Sequence, residues 1–114
     1  MVAGPSADSL SYLCGGWTVN WQGSPTDDVF PFGTTVLAGV KAVAPGSEIV
    51  HRRGCDIDGN SNPNELEDTI AEARASDVVI LAIGETHYAE RFGDIDGVEN
   101  CFFFFFLAQE ANPL

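Results

Sequence analysis

The sequence predicts an α/β fold: a partial α/β sandwich with a mostly parallel sheet flanked by helices, incomplete at both ends. Three observations carry that prediction. Asp77-Val78-Val79-Ile80-Leu81-Ala82-Ile83 is apolar after its first residue. Such a run cannot face water on either side, so it reads as a fully buried central strand. Asn62-Pro63-Asn64-Glu65 reads as a helix start, with Asn62 as N-cap, Pro63 at the first helical position and Glu65 at the third. Finally, strand-like and helix-like stretches alternate along the chain, the pattern of a parallel sheet covered by helices. Three strands and two helices are too few to cover both sheet faces, so more sheet is expected to follow.

Taken in order, Met1-Val2-Ala3-Gly4 reads as the end of a strand whose start is missing, with Pro5-Ser6-Ala7-Asp8 as its exit. Residues 10–33 are rich in glycine and aromatics and show no clear period. Gly15-Gly16 marks a turn or a close approach of backbone. Trp17 and Trp21 stand four apart: core packing is the usual use of tryptophan, and a stacking platform for a sugar is the alternative. Ser24–Phe32 is a turn-rich loop. Thr34–Ala44 reads as a helix with Val36, Leu37, Val40 and Val43 as its apolar stripe, ended by Pro45-Gly46.

Ser47–His51 reads as a short strand with His51 at its exit, and no second ligand lies at metal spacing from that imidazole. In the polar loop Arg52–Ser61, Asp56-Ile57-Asp58-Gly59-Asn60 faintly resembles a calcium loop. It lacks the acidic twelfth position and the flanking helices, so no metal site is expected. The helix from Asn62 runs to about Ser76, with Leu66, Ile70 and Ala73 on its buried face. Glu65, Glu67 and Asp68 suit the positive end of its dipole.

At Gly84 the apolar pattern stops, and Glu85, His87, Tyr88, Glu90, Arg91 and Asp94 follow. In open α/β sheets, ligands sit beyond the carboxyl ends of the strands, so this is the candidate site. The plain alternative is an acidic loop that faces water. Val98–Leu114 contains five consecutive phenylalanines, Phe102–Phe106, without amphipathic period. That tail is expected to lie outside the fold, disordered or mis-spliced, and it is too short to span a bilayer.

Composition narrows the function. The chain has 114 residues, 45% hydrophobic and 11% aromatic, enough for one core. Its net charge of −12 disfavours nucleic-acid and anionic-membrane partners. Cys14, Cys55 and Cys101 form no C-x-x-C pair, so neither a zinc site nor a disulfide framework is indicated. Met1–Pro5 shows neither the charged nor the apolar part of a signal peptide.

Four stretches together resemble the second, C-terminal α/β domain of family 3 glycoside hydrolases, of the β-glucosidase and β-glucan exohydrolase type. They are Val2–Asp8 (VAGPSAD), Gly15–Gly23 (GGWTVNWQG), Gly33–Val43 (GTTVLAGVKAV) and Val79–Asp94 (VILAIGETHYAERFGD). The resemblance covers residues 1–97 and leaves 98–114 outside it. It implies a retaining glycosidase acting on β-glucans or β-glucosides, with no cofactor. It implies Glu90 as general acid/base, Glu85 as a supporting or alternative acid, and Trp21 at the plus-one subsite, which leaves Trp17 its packing role; Trp17 and Tyr88 are further candidates for substrate binding. The nucleophile would come from an N-terminal barrel domain absent here, so the isolated chain is expected to be inactive. An extracellular or secreted home is what the resemblance suggests; the residues themselves leave it open. A competing reading is a small non-catalytic nucleotide-binding α/β module using Gly4-Pro5-Ser6-Ala7-Asp8, which lacks the glycine and lysine pattern of phosphate loops.

Overall fold

The computed structural model describes residues 1–90; Arg91, Asp94 and the phenylalanine tail lie outside the described residues. The elements are β1 (Val2–Ala3), α1 (Leu10–Cys14), a 3-10 turn (Asp27–Val29), α2 (Val36–Val43), β2 (His51–Arg52), α3 (Pro63–Ala75) and β3 (Ile80–Leu81). The strands form a parallel sheet in the order β2-β1-β3. Val2 lies opposite His51 on one side and Ile80 on the other. This is the α/β class the sequence predicts.

The central strand is β1, and this corrects the expectation for Asp77–Ile83. Only Ile80 and Leu81 pair, and Val78 is 41% exposed. A strand is central only if both of its edges are paired, and its faces are buried only where another layer covers them. Among the described residues β3 pairs with β1 alone. The strand expected at Ser47–His51 forms slightly later, at His51–Arg52, although the Val50 carbonyl already accepts from Val2 N–H at 2.8 Å.

The core gathers around β1. Val2 and Ala3 are 1% and 3% exposed and pack with Ala7, Leu37 and Ala82, against which Val36, Val40, Ile49 and Ile80 lean. Gly4 extends the pairing: its N–H donates to the Arg52 carbonyl at 3.0 Å. Its φ of +106° suits glycine, and a Cβ there would collide with the Ala82 carbonyl. Glycine is therefore required where the chain leaves the sheet.

The helices are set by their first turns. Thr35 caps α2, accepting from Ala38 N–H at 3.1 Å while its hydroxyl donates to Asp8 at 2.8 Å. Leu37 N–H donates to the Ala7 carbonyl at 2.9 Å, which seats the helix on the exit of β1. Helix α1, within a stretch that shows no period in sequence, starts at Ser9 and is held from outside. Ser9 caps it, accepting from Tyr12 N–H at 3.3 Å, and Asp27, 17 positions from Leu10, also accepts from Leu10 N–H at 3.0 Å and from Ser11 N–H at 2.7 Å.

Helix α3 starts as expected, with Asn62 accepting from Asn64 N–H and Pro63 in the first turn. Its expected buried face is not buried: Leu66 and Ile70 are 41% and 42% exposed. No described strand or helix closes over that stripe, and the Arg52–Glu72 pair at 3.8 Å, partly exposed at both ends, adds little.

The loop before α3 uses its acidic residues on itself. The Asp56 carboxylate accepts from Asn60 Nδ2 at 3.0 Å, Asn60 N–H at 2.8 Å and Asp58 N–H at 3.0 Å. The side-chain amide of Asn60, and then its backbone N–H, hold the Asp56 carboxyl below its ordinary range. Among the described residues, no group of three His, Cys, Asp or Glu side chains could hold a metal ion.

Leu37→Ala should lower the stability of the chain by about 2–5 kcal/mol in urea unfolding, because Leu37 is 5% exposed. Leu66→Ala should cost roughly 1 kcal/mol or less, its side chain being half in water already. Asn60→Ala should raise the Asp56 pKa toward the ordinary carboxylate range, read by carboxyl NMR titration. Because the folded pKa is depressed, Asp56's stabilising contribution is present above the unfolded pKa. It disappears as pH falls through the folded value.

Candidate functional site

The site is where two loops meet beyond the carboxyl end of β3. The first begins as the sheet ends: Ala82 N–H donates to the Ala3 carbonyl at 2.8 Å, Ala82 is 4% exposed, and Gly84 passes over buried Ser6. It then runs without regular structure to Glu90. The second is the aromatic loop between α1 and the 3-10 turn.

The aromatic loop is tightly wound. Trp17 N–H donates to the Trp21 carbonyl at 2.9 Å, Asn20 N–H to Thr18 at 2.7 Å, and Gly23 N–H to Asn20 at 3.1 Å. Four of its residues have positive φ: Gly15 at 64°, Trp17 at 62°, Val19 at 63° and Gly23 at 87°. For Trp17 and Val19 that conformation costs of order 1–3 kcal/mol each. So narrow a turn has no interior to bury side chains, which leaves Trp17 68% exposed and Trp21 38% exposed. The core-packing use of these tryptophans is thereby overturned. They lean on each other instead, centroids 6.1 Å apart and planes tilted by 60°.

The two loops are joined along their backbones. A Cβ on Gly16 would collide with the Tyr88 carbonyl, and one on Gly23 would lie 2.5 Å from the His87 Cβ. Glycine at both positions lets the chains touch. Between them, Gln22 spans the gap: its Oε1 accepts from Ala89 N–H at 3.0 Å and its Nε2 donates to the Glu90 carbonyl at 3.4 Å. The aromatic pair and the glutamate loop thus form one unit.

Each sequence-predicted residue has a definite place in it. Glu90 is exposed, and Glu85, His87 and Tyr88 are half-buried. Glu85 Oε2 and His87 Nδ1 are sealed from solvent and have no hydrogen-bond partner among the described residues. His51 falls elsewhere, in a cavity of about 290 Å³ at the ends of β1 and β2 with Asp8, Tyr12 and Arg53. Gln22, which the sequence reading passes over, is the residue that ties the two loops. Its signal was its position beside Trp21 in the run Trp21-Gln22-Gly23. Chemically, the unit offers a solvent-facing carboxylate on one loop and exposed aromatic faces on the other.

Gly16→Ala should force Tyr88 and Ala89 away from the aromatic loop and speed amide hydrogen exchange at Ala89. Gly46→Ala, where no neighbouring atom lies within 4 Å, should leave that exchange unchanged.

No protein-family model matches the chain, and no solved structure matches it. A curated protein does. Over 98 residues, 83% of this chain, the sequence is 40% identical to the lysosomal beta glucosidase of Dictyostelium discoideum. The chain spans only 12% of that protein's length. The similarity supports a glycosidase relationship, carried by a stretch that is a small part of its much longer relative.

Proposed function

We propose that this stretch forms part of the second α/β domain of a retaining β-glucosidase or exo-β-glucanase of the family 3 glycoside hydrolase type, with Glu90 as its general acid/base. The observation that carries the reading is the junction of the aromatic loop with the Glu90 loop, through Gly16, Gln22 and Gly23, in a chain 40% identical to a β-glucosidase. A glycosidase needs an aromatic surface for a sugar ring and a carboxyl group near the glycosidic oxygen.

In this proposal Glu90 protonates the leaving-group oxygen as a nucleophilic carboxylate attacks the sugar, and then takes a proton from the water that releases the glycosyl intermediate. Trp21 receives the leaving sugar, Trp17 and Tyr88 border it, and Glu85 supports the loop or serves as an alternative acid. The partner carboxylate must stand ~5–5.5 Å from the acid. It is assigned to an N-terminal barrel domain outside this stretch. Glu90's exposure is consistent with that division, since a general acid needs burial to raise its pKa and no described residue encloses it. A wall from a second domain would supply that burial.

The nucleotide-binding reading has less support. A phosphate cradle needs free backbone N–H groups, but in Gly4-Pro5-Ser6-Ala7 they are occupied. Gly4 donates to Arg52, Ser6 to Ala82 and Ala7 to Gly4, while Pro5 has no N–H.

Laminaribiose should quench the tryptophan fluorescence of the chain, Trp21→Ala should remove most of that response, and ATP should produce none. A response to nucleotide alone would support the module instead. The isolated chain should not hydrolyse an aryl β-glucoside; turnover abolished by Glu90→Gln would overturn the two-domain assignment. In a two-domain enzyme carrying this stretch, Glu90→Gln should lower kcat by roughly 10²–10⁴-fold.

A further inference from the structure

We propose that Gln22 is a positioning residue for Glu90, fixing the backbone from which that carboxyl group reaches the glycosidic oxygen; the inference rests on the reading of Glu90 as the acid/base. The carboxamide is used at both ends. Oε1 accepts from Ala89 N–H at 3.0 Å, and Nε2 donates to the Glu90 carbonyl at 3.4 Å. The two contacts bracket the peptide that joins Ala89 to Glu90. They tie the N–H that precedes that peptide and the carbonyl that follows it to one side chain. Glutamine supplies one donor and one acceptor on a single planar group, which neither a carboxylate nor an ammonium offers.

The contact with Ala89 cannot be replaced by water at no cost. Ala89 is 4% exposed, so its N–H would be left buried and unpaired without Oε1. The loop has no regular structure of its own from Glu85 to Ala89, so its course depends on such outside contacts. Gln22 also follows Trp21 directly, within a turn closed by hydrogen bonds at Trp17–Trp21 and Asn20–Gly23. The same short turn therefore presents the aromatic ring and steadies the glutamate. A shift of the turn on sugar contact at Trp21 would be passed to Glu90 through Gln22, beside the close contacts at Gly16 and Gly23.

The test uses the Dictyostelium discoideum lysosomal beta glucosidase with its matching stretch replaced by this one, assayed on an aryl β-glucoside. Gln22→Met keeps the volume and removes both hydrogen bonds. It should lower kcat by roughly 10–100-fold with KM changed by no more than about twofold. In a Glu90→Gln background the same substitution should have almost no further effect, because the residue acts through Glu90. An unchanged kcat would overturn the proposal, and so would an undiminished loss in the Glu90→Gln background, which marks a role in folding alone. If Glu90→Gln itself leaves kcat intact, the acid/base reading fails and the positioning role fails with it, an outcome distinct from the other two. Should the hybrid be inactive, amide exchange in the 114-residue chain decides. Gln22→Met should speed exchange at Ala89 roughly fivefold to tenfold, and unchanged exchange would refute the proposal.

Discussion

The structure depends on β1 being hydrogen-bonded on both sides over a length of two residues. Val2 and Gly4 donate to the carbonyls of Val50 and Arg52, while Met1 and Ala3 accept from Ile80 and Ala82. These bonds lie where Val2, Ala3 and Ala82 are buried, so each stands in for water that cannot reach it. The lateral position of both other strands follows from them. The exit of β1 then seats α2 through Ala7 and Asp8, and the end of β3 launches the glutamate loop. A disturbance at Gly4 would reach both.

Around this small core the packing is uneven. Leu37 and Val2 are enclosed, whereas the apolar stripe of α3 and the start of β3 stand partly in water. The helix keeps its cap and its shape without that burial, since local signals at Asn62 and Pro63 do not need a tertiary partner. Burial is a property of neighbours, and the periodicity of Leu66, Ile70 and Ala73 says only that the helix is amphipathic.

This explains which parts were legible in the sequence. The α/β class, the capped start of α3 and the position of the candidate loop after β3 came from local patterns: apolar runs, cap residues and glycine breaks. The identity of the central strand did not, because it depends on pairing between residues about fifty and eighty positions apart in a parallel sheet. Helix α1 is not legible from periodicity: it is five residues long, and although Ser9 caps it locally, its first two N–H groups bond to Asp27 in another loop. Of the candidate site, Glu85, His87, Tyr88 and Glu90 were visible as a polar cluster, and Trp17 and Trp21 as a pair. Their junction was not, since a glutamine gives no sign in sequence of which backbone it will bond.

The conformations of Trp17 and Val19 have a further consequence. Both hold φ values that a residue with a side chain rarely adopts, and the surrounding hydrogen bonds keep them there. The conformational cost of ordering that turn is thus met during folding, before anything touches it. A ring stacking on Trp21 would find its surface preorganised and would lose little affinity to immobilising the loop. A more relaxed turn, with glycine at Val19, would fold more readily and grip less well.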